Sequence, residues 1–204
     1  MVTYPGLPVP RIAEHLSREA STSHYAEGTT FQIGRIEMIA NTGTYVDAPF
    51  HRYEGGVDLA GLPLERLVDL EGICLKLCER RVIDADAFES VEVEGRAVLV
   101  RTDWSRHFGT PAYAQGHPHL TQAAAELLVE RGAALVGIDS LNIDGTEGGE
   151  RPVHGALLAA GIPIVEHMTA LDELPAAGFR FFAVPARVRG MGSFPVCAFA
   201  LLEL

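Results

Sequence analysis

This sequence has few cysteines, little positive charge and no long apolar run, and each shortage removes a class of function. Cys74, Cys78 and Cys197 are an odd set without a tight metal-binding pair, so neither a disulfide framework nor a thiolate metal centre is expected. Cys74 and Cys78 alternate with apolar neighbours in Ile73-Cys74-Leu75-Lys76-Leu77-Cys78 and read as small strand residues with reduced thiols. Sixteen Lys and Arg against 27 Asp and Glu give a net charge of −11. No basic footprint for nucleic acid exists, and the sign disfavours anionic membrane surfaces. No apolar stretch approaches a bilayer span, and the N-terminal MVTYPGLPVP lacks a charged segment followed by an apolar one. The expectation is a cytoplasmic protein with no nucleic-acid or membrane partner. Repeats, low-complexity tracts and linkers are also missing, which leaves one domain over residues 1–204. The glycines of Gly145-Thr146-Glu147-Gly148-Gly149 do not follow dinucleotide-fold or P-loop spacing, so no phosphate cradle and no organic cofactor are expected.

What is present describes a globular chain, 48% hydrophobic and 21% charged. Residues 30–38 show partial alternation and predict a strand that delivers the segment after it. Apolar runs at 73–77, 97–101, 134–138, 179–184 and 196–202 have strand length. Residues 121–131 predict a helix, with Thr121 as N-cap, Ala124, Leu127 and Leu128 as its apolar stripe, and Gly132 as its stop. A second helix starts at Pro152, a residue suited to the first turn, and ends before Gly161-Ile162-Pro163. Ile164-Val165 then reads as a short buried strand ending at Glu166. Strands outnumber helices without alternating strictly with them, which favours a mixed-sheet α/β domain.

The chemistry concentrates in Asn41-Thr42-Gly43-Thr44-Tyr45-Val46-Asp47-Ala48-Pro49-Phe50-His51. Pro49 prevents a regular helix, so a turn must bring Asp47 and His51 together. A second pair follows. His154 falls in the first turn of its helix, where the dipole favours a neutral imidazole. Glu166 projects from a buried strand, where a carboxylate needs a partner or a cation. An arginine salt bridge for Glu166 and a turn-capping role for Asp47 are the plain structural readings. His117 and His119, on either side of Pro118, are loop residues or substitute ligands. His24, His107 and His167 read as structural or solvated, and His15 as part of the polar face of an N-terminal helix. Tyr45, Phe50, Trp104 and Phe108 are candidate pocket aromatics.

The opening segment resembles the motif H-x-G-T-H-x-D-x-P-x-H of the cyclase-family metal-dependent hydrolases, the family of the bacterial kynurenine formamidases and isatin hydrolases. Gly43, Thr44, Asp47, Pro49 and His51 match it, while Asn41 and Tyr45 stand where that motif has histidines. His154, Glu166 and the segments 136–140 and 161–166 also resemble family landmarks. The resemblance implies the swivelling β/β/α architecture, assembled as a homodimer or homotetramer. It also implies hydrolysis at the carbonyl of a small amide, lactam, lactone or ester. Carried over, Asp47 and Glu166 become metal ligands, His51 the proton shuttle, and His154 a ligand or supporting group. Asn41 is the third candidate ligand, and Tyr45 joins His51 and His154 as a candidate catalytic group. Losing two imidazoles leaves an oxygen-rich set, so a weakened divalent site for Mn, Mg or Zn is expected rather than tight zinc. Without a metal, His51 would act as base with Tyr45 and Asn41 donating to the oxyanion. The rival is a non-enzymatic small-molecule-binding protein on the same fold.

Overall fold

A computed structural model describes residues 8–202; residues 1–7, which include most of the N-terminal segment read above, and 203–204 lie outside the described residues. The chain begins with an antiparallel pair, β1 (Arg11–Leu16) and β2 (Ile33–Glu37), separated by the short helix α1 (Arg18–Ser21). His15 thus lies in a strand and not in a helix, and β2 pairs with β1 alone rather than joining the main sheet. The hairpin's side chains are almost all exposed, Ile12, Ile33 and Ile36 among them.

The remaining strands are β3 (Tyr45–Asp47), β4 (Leu70–Lys76), β5 (Val82–Ile83), β6 (Ala97–Arg101), β7 (His119–Leu120), β8 (Leu135–Ile138), β9 (Ile164–Glu166), β10 (Phe179–Phe182), β11 (Ser193–Pro195) and β12 (Phe199–Leu202). Eight of them form one mixed sheet in the order β11-β3-β9-β8-β6-β4-β10-β12. Its centre, β4, β6, β8 and β9, is parallel. These strands are covered on both faces, which explains their near-continuous apolar runs. The flanking pairs, β3 with β9 and β10 with β4, are antiparallel. β5 and β7 form a separate parallel pair.

One face of the sheet packs Val98, Val136, Ile138 and Ile164 beneath α2 (Gln122–Glu130) and α3 (Pro152–Ala159). The Thr121 hydroxyl accepts the Ala124 N–H at 3.2 Å, the cap the sequence predicts, and Gly132 leaves the helix at φ +73°. The other face packs Val46, Leu99, Leu135, Val165, Phe179 and Phe181. The mixed-sheet α/β expectation therefore holds. Alternation along β3 has the consequence that matters for the site. Val46 goes to the second face, so Tyr45 and Asp47 both point toward α3.

Candidate active site

Register places four polar side chains on one small area of that face. Tyr45 lies opposite Glu166 on β9, and Asp47 lies opposite Ser193 on β11. Residues paired directly across a ladder are close enough for their side chains to meet. The Tyr45 hydroxyl donates to Glu166 Oε2, and the Ser193 hydroxyl donates to Asp47 Oδ1. After β3 the chain turns through a 3-10 turn at Pro49–His51, the turn that Pro49 requires, and His51 Nδ1 ends 3.5 Å from Asp47 Oδ1.

α3 delivers His154 from above. Its N-cap position is Arg151, which makes no capping side-chain bond, and Asp144 does that work from a preceding loop. Asp144 accepts the Val153 N–H at 2.7 Å and the His154 N–H at 3.0 Å. The same carboxylate meets His154 Nδ1 at 2.6 Å, which turns Nε2 toward the strands. Nε2 stands 3.6 Å from Asp47 Oδ2 and 3.7 Å from Glu166 Oε1, ionic contacts rather than hydrogen bonds. Glu166 Oε1 also accepts the Ile143 N–H at 2.6 Å. Glu166 is fully buried, as the apolar run before it predicts, but its partners are a phenol, a backbone amide and a histidine in place of an arginine.

Burial and mutual charge set the protonation states. Burial alone would depress the His154 imidazole, but the Asp144 bond and the nearby Asp47 and Glu166 carboxylates raise it to about 10. Burial lifts Glu166 to about 7, with His154 opposing and Asp47 reinforcing the shift. Burial works against Asp144 as well, yet its hydrogen bonds to His154 and Val153 hold it below the ordinary carboxylate range. Tyr45 is pushed well above 10, first by burial and then by the charges of Glu166 and Asp47, while Asn41 hydrogen-bonds the phenol. The phenol therefore stays protonated and is a poor metal donor.

The remaining candidates divide. Asp47, His51 and His154 each offer a donor atom within 4.8 Å of the others. Glu166 is outside that group of three but lies 3.7 Å from the same His154 Nε2 that faces Asp47, and Asn41 lies at the Tyr45 phenol. His117 binds Thr146 Oγ1 at 3.2 Å and its own Pro118 carbonyl at 3.1 Å, and neither it nor His119 joins the donor group. Phe108 lines a mostly apolar cleft of about 360 Å³ with Thr44 and His167, whereas Trp104 donates its indole N–H to the Tyr113 carbonyl at 3.0 Å.

A divalent cation fits the donor group. Asp47 Oδ2 is buried and has no hydrogen-bond partner among the described residues, and His154, held protonated by the surrounding carboxylates, would present an Nε2 lone pair beside it once a cation displaces that proton. With His154 beside Asp47, the donor group is less oxygen-rich than the set the resemblance implies.

Sequence reasoning passed over Asp144 and Ser193. A helix start at Pro152 with Arg151 in the capping position was a usable sign that a cap had to come from elsewhere. Nothing local pointed to Ser193, which is 146 residues from Asp47.

Residues 5–145 match the family described as "Putative cyclase". The kynurenine formamidase of Bacillus cereus is 29% identical over 189 residues, covering 89% of this chain and 85% of that protein. The kynurenine formamidase of Erythrobacter litoralis is 28% identical, covering 87% and 80%. Among solved structures, a predicted metal-dependent hydrolase from Bacillus stearothermophilus superposes with a TM-score of 0.71 at 27% identity, covering 97% of this chain and 93% of the other. An isatin hydrolase bound to the product analogue thioisatinate superposes with a TM-score of 0.79, covering 97% and 83%; its 22% identity speaks for the fold.

Proposed function

The chain belongs to the cyclase family and is a hydrolase, and from that premise we propose that it cleaves the carbonyl–nitrogen bond of a small amide, open or cyclic, with His51 moving the proton. The observation that carries this reading is the contrast in exposure. The side chains of Asp47 and Glu166 are fully buried and that of His154 is 5% exposed, whereas that of His51 is 36% exposed. His51 is thus the member of the cluster that meets substrate and water. Hydrolysis adds a water oxygen to the carbonyl carbon, breaks the C–N bond and delivers a proton to the departing nitrogen. His51 takes the proton from water and returns it to that nitrogen.

A divalent cation at this place would draw on Asp47 and His154, with His51 in reach and the Glu166 carboxylate beside the same His154 Nε2. When bound it supplies Lewis acidity toward a carbonyl and toward water. Asp144 orients His154, and Tyr45, held by Asn41, keeps Glu166 in place.

Two measurements test this. Cation content should be highest in wild-type protein purified without added metal or chelator, and should fall in Asp47→Ala and Glu166→Ala; equal content in all three removes the cation from the proposal. A panel of formamides, lactams and lactones should yield turnover for at least one amide, and a panel with no turnover by cation-loaded protein defeats the enzymatic reading.

The proposal extends to a homodimer or homotetramer. Exposed Ile12, Ile33 and Ile36 on the hairpin and Phe199, Leu201 and Leu202 on the edge strand β12 support a subunit contact. Sedimentation at the monomer mass across dilution would count against it.

A further inference from the structure

Ser193 faces Asp47 across the β11–β3 ladder and is 3% exposed. It touches two groups of the site. Its hydroxyl donates to Asp47 Oδ1, and the same Oγ lies 2.8 Å from His51 Nδ1. The direct His51–Asp47 separation of 3.5 Å is too long for a good hydrogen bond, so the serine is the link between them.

A hydroxyl has one proton, and where it goes decides where the imidazole proton sits. A carboxylate oxygen only accepts, so the Ser193–Asp47 bond uses the serine proton. Turning the Ser193 proton toward His51 would strip a fully buried carboxylate of its side-chain hydrogen bond, the costlier arrangement. Ser193 therefore donates to Asp47 and accepts from His51. We propose that Ser193 is a positioning residue that holds the neutral His51 with its proton on Nδ1 and its lone pair on the outward Nε2.

The backbone is shaped for this contact. A Cβ on Gly192 would stand 2.3 Å from the His51 amide nitrogen, so a strand carrying any other residue there could not approach so closely. Ala48 N–H donates to the Gly192 carbonyl at 2.7 Å and fixes the approach. An imidazole free in water favours the opposite tautomer, with Nε2 protonated and unable to accept. Gly192 and Ser193 together thus convert a partly exposed histidine into a base whose accepting nitrogen faces the substrate.

This inference rests on the proposed role of His51, and the test separates the two. Nitrogen-15 NMR of the His51 ring, in mildly alkaline buffer, is recorded for the protein as purified and after chelator treatment. The expected wild-type signature is a protonated Nδ1 and an unprotonated Nε2 in both preparations. Ser193→Ala should shift the ring toward the Nε2-protonated form and lower kcat about 10–100-fold with KM little changed, as for other partners that fix a tautomer. Ser193→Thr, which keeps the hydroxyl, should restore both. A wild-type His51 protonated on Nε2 overturns the proposal without any variant, and so does a Ser193→Ala protein with unchanged tautomer and kcat. The expected tautomers in a protein that hydrolyses no amide would uphold the positioning role and defeat the proposed function instead.

Discussion

Replacing His51 with alanine should lower kcat by about 10²–10⁴-fold, the usual contribution of a positioned acid–base group, and should leave the fold intact. The two halves of this expectation have separate causes. The His51 side chain is 36% exposed and contributes to neither apolar cluster, so its loss creates no cavity. Its ring lies 5.7 Å from that of His154, close enough to share the reacting region yet outside the Asp144–His154–Glu166 contacts that hold the interior together. Stopped assays on whichever amide the panel identifies, read beside a denaturant melt, would check it. Activity that survives unchanged would remove His51 from the proton path.

Asp144→Ala should be the most destabilising change in the site, by ~3–5 kcal/mol as for breaking one half of a buried charged pair. Three bonds disappear together: those from the Val153 and His154 amides and that from His154 Nδ1. The first turn of α3 then has no cap, because Pro152 has no N–H and Arg151 makes no capping bond. His154 also loses a bond that raises its pKa to about 10. The sign of the pH dependence follows. A histidine whose folded pKa lies above its ordinary 6.5 lends stability that is full below 6.5 and fades as pH rises toward about 10. Wild-type stability in the cation-free protein should therefore decline from about pH 6.5 toward about 10, and in Asp144→Ala, where the folded pKa is lower, the decline should start at the same pH but end sooner and be smaller. Urea midpoints measured across the range would show this. A midpoint in Asp144→Ala equal to wild type at every pH would mean that α3 and His154 are held by something else.

Much of this arrangement was legible before folding. The parallel strands announced themselves because burial on both faces demands unbroken apolar runs, and α2 and α3 because Thr121 and Pro152 are good helix starters. The Asn41–His51 segment stood out because its residues carry chemistry at turn-forming spacing. The N-terminal segment misled: the stretch around His15 has helical polarity but lies in a hairpin, where pairing with β2 overrides local preference. The ligand set implied by the resemblance was oxygen-rich because Asn41 and Tyr45 stand where the motif has histidines. In three dimensions Asn41 hydrogen-bonds the Tyr45 phenol, while His51 and His154 approach Asp47.

By itself the sequence determined which residues share a face. Strand alternation turns Tyr45 and Asp47 the same way and Val46 the other, whatever lies around them. It also determined that Glu166 would be buried and in need of a partner. The tertiary structure alone decided which partners arrive. Asp47 meets Ser193 because β11 pairs with β3, and His154 meets Asp144 because a loop returns under α3. These contacts depend on ladder register and helix placement, quantities set by the packing of the whole sheet rather than by any neighbour in the chain. The distribution of protons among His154, Tyr45 and Glu166 belongs to that second category, since burial and cross-strand charge exist only once the chain has folded.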